Sequence, residues 1–114
     1  MRYALPILTC KEAAECEREF FAAGIFGEAE AIERAGSGIA KSFLSEFRLP
    51  PNPRIAVLCG AGHNGADALV AARQICAAIP GAKIYIAIPN REKLKQNTAH
   101  AFDELAAKFS SQIE

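Results

Sequence analysis

Residues 60–67 read Gly-Ala-Gly-His-Asn-Gly-Ala-Asp and directly follow an apolar run, Arg-Ile-Ala-Val-Leu-Cys. The first six of them have the pattern G-x-G-x-x-G, which is typical of a loop that binds the phosphates of a dinucleotide. Glycines let the backbone turn tightly, and the free amides at the start of the following helix attract an anion. The stretch therefore predicts a nucleotide-binding loop between a strand and a helix.

Two features distinguish this loop from that of an ordinary NAD-binding fold. Such folds carry an acidic residue near the end of the second strand, where it binds ribose hydroxyls; here Pro89 and Asn90 stand in that place. Arg91 follows, either as a phosphate ligand or as a solvated residue of a helical turn. Asp67 puts a carboxylate beside the phosphate loop, and two interpretations are open. It is either an N-cap or first-turn acid that complements the helix dipole, or a ligand for sugar hydroxyls or a ring.

The elements that precede the loop are helical. Thr9 and Glu12 fit a capping box, and Gly24 is a suitable end for this first helix. Apolar residues at three- and four-residue spacing predict a second helix over residues 28–47. Two glycines within it, at positions 36 and 38, indicate either close packing against another backbone or a local break.

The rest of the chain alternates strands and helices. Residues 54–59 and 82–88 are continuous apolar runs, which predict two parallel strands buried on both faces. A helix is predicted to begin near Ala66–Asp67, and one long amphipathic helix is predicted over residues 91–109. This order indicates an α/β protein with a Rossmann-like parallel sheet and flanking helices.

The predicted domain has a helical lead-in, residues 1–53, and a βαβα nucleotide-binding unit, residues 54–114. The sheet looks truncated after the second βα unit, because two strands leave unpaired edges and the alternating pattern calls for a third. We therefore expect either further chain or a partner to supply the missing strands.

Composition excludes several classes of protein. Thirteen basic residues balance thirteen acidic ones, and no basic stripe predicts nucleic-acid binding. No apolar stretch is long enough for a membrane helix or a signal peptide. The four cysteines form no C-x-x-C pair, so we expect no zinc site and a reduced, cytoplasmic setting in which Cys59 and Cys76 belong to the core. His100 is expected to be a solvated residue of a helix face.

The loop and its surroundings resemble the NAD(P)H-hydrate epimerase family, the YjeF N-terminal domain. VLCGAGHNGADALVAARQI is similar to that family's V-L-C-G-x-G-N-N-G-G-D-G-L-V-A-A-R, and GIFGEAEAIERAG is similar to its Gly-Ile and Leu-Met-Glu-Arg-Ala-Gly segment. The resemblance spans nearly the whole chain but only the first half of the family domain. It implies a Rossmann-like fold, often dimeric, that interconverts the R and S forms of hydrated NADH and NADPH for repair by a companion dehydratase.

The resemblance also implies roles for the loop residues. The hydrated nucleotide would contact five of them, His63, Asn64, Gly65, Ala66 and Asp67. Asn64 would in addition bind a potassium ion through its side-chain oxygen, a hard ligand for a hard cation. The sequence departs from the family pattern where His63 replaces an asparagine and where Ala66 and Ala68 replace glycines. A methyl group at position 66 is expected to crowd the ligand or to change the backbone angle.

The family's second-half motifs, an Asp-Ala-Leu-Leu-Gly-Thr-Gly loop and an Asp-x-Pro-Ser-Gly segment, do not occur in these 114 residues. The catalytic acid–base group is therefore expected beyond residue 114. The leading hypothesis is an NAD(P)H-hydrate epimerase. It is expected to work as a homodimer or with a partner, and the full protein could also carry the dehydratase domain. The alternatives are a non-catalytic nucleotide-binding or scaffold module, and half of an ordinary dehydrogenase, which the missing strand-end acid argues against.

Overall fold

The computed structural model describes residues 5–114 and begins with two helices. Helix α1 spans Cys10–Ala22 and helix α2 spans Glu28–Glu46. The predicted capping box is confirmed, since the Thr9 amide donates to Glu12 Oε2 at 2.7 Å and the Glu12 amide donates to Thr9 Oγ1 at 3.2 Å. Gly24 follows α1 with a φ of 71°, a left-handed conformation that favours glycine. Short-range side-chain chemistry therefore fixes both ends of α1.

The remaining elements form the predicted α/β arrangement. In chain order they are β1 (Arg54–Leu58), α3 (His63–Ala78), β2 (Lys83–Ala87), a short 3-10 turn (Arg91–Lys93) and α4 (Gln96–Lys108). Strands β1 and β2 pair in parallel along their whole lengths, with α3 as the crossover between them. This is the βα repeat of a Rossmann-like sheet, as the alternating pattern predicts.

Residues 112–114 bond to the edge of β2 that faces away from β1. Ile113 forms a parallel bridge with Ile84. The Ile84 amide donates to the Gln112 carbonyl at 2.7 Å, and the Glu114 amide donates to the Ile84 carbonyl at 2.9 Å. The sheet within residues 5–114 thus has two strands, and an isolated bridge lies on the second edge of β2.

The Gln112 side chain ties this segment to the end of α3. Its amide nitrogen lies 3.3 Å from the Cys76 carbonyl oxygen, 3.0 Å from that of Ile79 and 3.2 Å from that of Ala82. The last carbonyls of a helix have no partner within it. Gln112 supplies that partner from outside the helix.

The core lies between α3 and one face of the sheet. Leu69, Ile84 and Leu105 are fully buried there, and the predicted core residues Cys59 and Cys76 are buried with them. The prediction that both strands are buried on both faces is wrong. The residues of β1 alternate between exposed and half-buried, and in β2 Ile84 is buried whereas Lys83 and Ala87 are exposed. The helices cover one face of β1, so residues 54, 56 and 58 stay open on the other, and Leu58 is 84% exposed.

Helix α2 runs unbroken through both of its glycines, and only one of them is required by packing. A Cβ on Gly36 would lie 2.5 Å from Val70 Cβ and 2.8 Å from the Asp67 carbonyl oxygen, both in α3. A Cβ on Gly38 would meet nothing within 4 Å. The close-packing interpretation is therefore confirmed at Gly36, and the local break does not occur.

The single helix predicted over residues 91–109 is wrong, because the chain is interrupted before α4. The Asn90 side chain accepts from the Glu92 amide at 3.1 Å and starts the 3-10 turn. The Lys95 amide then donates to the Ala61 carbonyl of the loop at 3.0 Å. This contact to a distant segment replaces the hydrogen bond that a continuous helix would make. Across residues 5–114, no helix is long and apolar enough to span a membrane.

Changing Gly36 to alanine should lower the free energy of unfolding by about 1–3 kcal/mol, because the added methyl group overlaps Val70. Gly38→Ala on the same helix is the matched control. It should raise the stability by roughly 0.5–1 kcal/mol, since alanine is the better helix former and the space is open. Urea unfolding of both variants measures the difference, and equal effects would contradict the close approach of α2 and α3.

Candidate functional site

The loop joins β1 to α3, and α3 begins earlier than the sequence predicts. Gly62 is the N-cap, and its carbonyl accepts from the amides of Gly65 at 3.0 Å and Ala66 at 3.3 Å. The helix thus starts at His63 and not near Ala66–Asp67. The sequence does not reveal this boundary, because a glycine N-cap provides no side-chain signal. Asp67 then lies beyond the first turn, so its interpretation as an N-cap or first-turn acid is wrong.

The loop closes because residue 65 has no side chain. A Cβ on Gly65 would lie 2.0 Å from the Gly60 carbonyl oxygen and 3.0 Å from Cys59 Sγ. Gly60 and Gly62 have nothing within 4 Å of the corresponding position. The three glycines therefore have two functions: Gly65 lets the helix lie against the end of β1, and the other two leave open space in front of the loop.

The buried side chains of Thr98 and Cys59 hold the loop in place. Thr98 of α4 is fully buried, and its hydroxyl donates to the Gly62 carbonyl at 2.9 Å. Cys59 Sγ lies 3.3 Å from the Gly60 carbonyl oxygen and 3.4 Å from that of Gly65. Burial raises the pKa of the Cys59 thiol, so it remains a protonated hydrogen-bond donor. Sequence reasoning missed Thr98, because nothing local marks a threonine in the first turn of a helix as a loop anchor.

Two cavities flank the start of α3. The first, which we call the loop cavity, has a volume of about 390 Å³ and is lined by Leu58, Gly60, Gly62, His63, Asn64 and Gly65. The second, the helix cavity, has a volume of about 330 Å³ and lies between α1, α2 and α3. Its polar lining consists of Glu17, Glu28, His63, Asn64 and Asp67.

The five residues implied by the resemblance are distributed unequally over these cavities. His63 and Asn64 line both of them, Gly65 lines the loop cavity alone and Asp67 the helix cavity alone. Ala66 is fully buried, so its methyl group packs in the core and lines neither cavity. Four of the five positions thus surround one continuous surface at the start of α3.

The charged groups at this surface are mostly acidic. Glu28 Oε1 of α2 lies 2.9 Å from His63 Nδ1, and both side chains are nearly half exposed. Burial raises the pKa of Asp67, an effect that the nearby His63 charge partly opposes. Within residues 5–114, no lysine or arginine is among the residues that line either cavity. A phosphate bound here would be met by backbone amides and by His63.

The potassium ion implied by the resemblance finds one suitable ligand. The Asn64 side chain is exposed at the cavities, and its amide oxygen suits a hard cation. The neighbouring carbonyls of Gly60 and Gly62 already accept hydrogen bonds, from the Cys59 thiol and from the Thr98 hydroxyl of α4. Among residues 5–114, no three histidines, cysteines or carboxylates are placed so that together they could hold a metal ion.

Arg91, His100 and Arg73 lie outside both cavities. Arg91 contacts Asp103 of α4, an exposed pair. His100 is 73% exposed, as expected for a helix-face residue. Arg73 of α3 joins the helices, with Glu33 of α2 at 2.5 Å and Glu104 of α4 at 2.9 Å. These contacts are structural, and they leave the start of α3 as the candidate site.

Comparison with known proteins supports a single family. Residues 28–113 match the profile described as "YjeF-related protein N-terminus". The chain is 29% identical over 110 residues to an NAD(P)H-hydrate epimerase of Phaeosphaeria nodorum, a match that covers 96% of this chain and 46% of that protein. It is 32% identical over 109 residues to pyridoxine/pyridoxamine 5'-phosphate oxidase 1, chloroplastic, of Arabidopsis thaliana, covering 94% of this chain and 20% of that protein.

A solved structure has the same fold. The crystal structure of yeast ynu0 superposes with a TM-score of 0.71 at 22% identity, over 90% of this chain and 44% of the yeast chain. The chain therefore spans less than half the length of each of these relatives. At this level of identity the superposition establishes the fold.

Replacing Gly65 with alanine should lower the free energy of unfolding by about 3 kcal/mol, because the methyl group would overlap the Gly60 carbonyl. Gly60→Ala is the matched control in the same loop. Its stability should stay within about 0.5 kcal/mol of the parent, since the added methyl group meets open space. Denaturant unfolding compares the two, and a well-tolerated Gly65→Ala would show that the loop closes differently.

Asp67→Asn should be as stable as the parent or more stable by up to about 0.5 kcal/mol near neutral pH, because burial opposes the charged carboxylate. A raised pKa means that the folded protein holds the proton more tightly than the unfolded chain. The cost of the carboxylate therefore appears as pH rises above the ordinary value of about 3.9 and is absent below it.

Unfolding experiments across this pH range test the prediction for Asp67. The advantage of Asp67→Asn should shrink as the pH falls. Glu46→Gln, at an exposed position at the end of α2, controls for the general effect of removing a carboxylate. A large loss of stability in Asp67→Asn near neutral pH would instead mean that the carboxylate makes favourable contacts.

Proposed function

The chain belongs to the family described as YjeF-related protein N-terminus, and from this premise we propose that it acts in NAD(P)H-hydrate epimerisation. In this proposal it binds hydrated NADH or NADPH at the start of α3. One observation carries the proposal: the matched region includes a strand-to-helix loop whose open glycines front the loop cavity, and the next two residues, His63 and Asn64, line both cavities. The name of the Phaeosphaeria nodorum relative supports the choice of reaction.

The proposed binding mode follows from the chemistry of the two cavities. The phosphates lie in the loop cavity, where Gly60 and Gly62 offer room close to the backbone. The amides of the first turn of α3 then face the phosphate oxygens. His63 and Asn64 contact the nucleotide from the wall that the two cavities share. Ala66 contributes indirectly, by packing beneath the first turn.

Asp67 is proposed to bind the ligand in the helix cavity. A carboxylate accepts hydrogen bonds from hydroxyl groups, which a hydrated nucleotide presents on its sugars and its hydrated ring. The same group would repel a phosphate, and this favours placing the phosphates in the loop cavity. Asp67 thereby sets the direction in which the nucleotide lies.

The chemical step needs an acid–base group at the hydrated ring carbon. We keep the prediction that this group lies beyond residue 114, in a region that the longer relatives possess. Three further points are likewise proposals. A potassium ion has Asn64 as one ligand, the chain assembles as a homodimer or with a partner, and the setting is cytoplasmic. The exposed, free thiols of Cys10 and Cys16 are compatible with a reducing compartment.

The decisive experiment mixes the full-length, folded protein, including the region expected beyond residue 114, with one epimer of hydrated NADH, with and without potassium, and follows the other epimer by chromatography. The proposal predicts an appearance rate above that of the buffer alone. Asp67→Asn should lower kcat/KM by about 10- to 100-fold, the effect of removing a hydrogen bond to a bound hydroxyl in a partly buried site. Asp103→Asn, at an exposed position outside both cavities, is the control and should match the parent.

Three outcomes are distinguished by this experiment. Acceleration that depends on Asp67 supports the proposal. Binding of hydrated NADH without any acceleration would contradict catalysis by this chain and favour the nucleotide-binding module. Hydride transfer from unmodified NADH to any acceptor would instead revive the dehydrogenase hypothesis.

A further inference from the structure

The segment just before α4 carries a concentration of positive charge. Residues 91–95 read Arg-Glu-Lys-Leu-Lys, three cations and one carboxylate, in a chain whose formal net charge is zero. Arg91, Lys93 and Lys95 are all exposed. Arg91 contacts Asp103, whereas neither lysine forms an ion pair within residues 5–114. We call residues 91–95 the basic segment.

A backbone contact places the basic segment against the loop between β1 and α3. The Lys95 amide donates to the Ala61 carbonyl at 3.0 Å, and Ala61 lies between Gly60 and Gly62, the two open glycines of the loop. Three residues further on, the buried Thr98 hydroxyl donates to the Gly62 carbonyl. Two contacts therefore fix the start of α4 beside the loop, and Lys95 is one of the residues that make them.

Lys95 stands at a helix position where lysine is unfavourable. It is the N-cap of α4, a position usually taken by a residue whose side-chain oxygen accepts from a first-turn amide. The lysine ammonium group has no acceptor, and its charge opposes the positive end of the helix dipole. The first turn of α4 has no acidic residue to offset that charge, whereas α1 begins with Thr9 and Glu12. A bound anion would supply the missing negative charge.

The two sides of the loop differ in charge. On the side of α1 and α2, the helix cavity is lined by three carboxylates, Glu17, Glu28 and Asp67. On the side of α4 stands the basic segment. A nucleotide whose phosphates lie in the loop is therefore expected to place a neutral, hydroxyl-bearing end on the acidic side and any further anionic group on the basic side.

The residues that follow β2 lack the group that would reject such an anion. Folds that bind NAD place an acidic residue there for the ribose 2′-hydroxyl, whereas an arginine nearby accommodates a 2′-phosphate. In this chain Pro89 and Asn90 take the place of the acid, and Arg91 follows. The end of β2 therefore suits a ribose with a 2′-phosphate better than an unmodified one.

We propose that the basic segment binds the 2′-phosphate of the adenosine ribose, so that the site prefers hydrated NADPH to hydrated NADH. The inference rests on the proposed function, with the phosphates that link the two nucleosides in the loop cavity and the hydrated ring on the side of Asp67. A phosphomonoester carries nearly two negative charges at neutral pH, and it is the group by which the two ligands differ. Lys95, beside the loop, is its central ligand, and Lys93 and Arg91 add charge from the preceding turn.

Two nucleotides that differ by one phosphate test the inference by calorimetric titration of the full-length, folded protein. Adenosine 2′,5′-bisphosphate should bind about five- to tenfold more tightly than adenosine 5′-monophosphate, the effect of charge-assisted contacts at an exposed site. This preference should shrink as the salt concentration is raised, because exposed charges are screened.

Substitutions in the basic segment should reduce the preference for the bisphosphate. Lys95→Gln should lower it about threefold, because glutamine removes the charge but keeps the backbone amide that contacts Ala61. Combined with Lys93→Gln it should abolish the preference, and Lys95→Arg, which keeps the charge, should retain it. Lys108→Gln, at the other end of α4 and exposed, is the matched control and should keep the preference of the parent.

The outcomes separate this inference from the proposed function. Equal affinities for the two nucleotides, a preference that survives the double substitution, or the same gain with adenosine 3′,5′-bisphosphate would overturn the inference and leave epimerisation standing. A preference that depends on Lys95, in a protein that does not epimerise hydrated NADH or NADPH, would overturn the function alone. No binding of these nucleotides or of hydrated NADPH would overturn both. Circular dichroism checks the folding of each variant.

Discussion

The site depends on the contact between the first turn of α3 and the end of β1. At Gly65 the helix backbone lies so near the Gly60 carbonyl that a side chain has no room. This contact fixes the angle at which α3 leaves the sheet. It thereby determines where His63 and Asn64 stand and which side of the turn faces the two cavities. The other contacts of α3 maintain a direction that is already set at its start.

Helices on both sides of α3 keep that start in place. Helix α2 approaches closely at Gly36 and brings Glu28 to His63. Helix α4 reaches the loop from the other side, through the Thr98 hydroxyl and the Lys95 amide. The loop is therefore held at both ends by elements that come earlier and later in the chain. A loop held in this way keeps its amides and side chains oriented before any ligand arrives, which reduces the entropic cost of binding.

Short-range patterns predicted much of this structure, and long-range contacts account for most of what they missed. The capping box at Thr9 and the two strands follow from neighbouring residues, and so the sequence predicts them well. The start of α3 and the break before α4 depend on backbone hydrogen bonds to Gly62 and Ala61, which have no side-chain signal. The contact between Glu28 and His63 joins two helices and is equally invisible in the sequence. The glycine pattern itself was informative, since it located the loop between β1 and α3.

The contacts of Gln112 have a consequence for how the protein unfolds. Gln112 bonds to β2 through its backbone and to the end of α3 through its side chain. A single residue thus joins the helix layer to the sheet. Loosening either element removes hydrogen bonds from the other, so α3 and β2 should open together in hydrogen exchange as one cooperative unit.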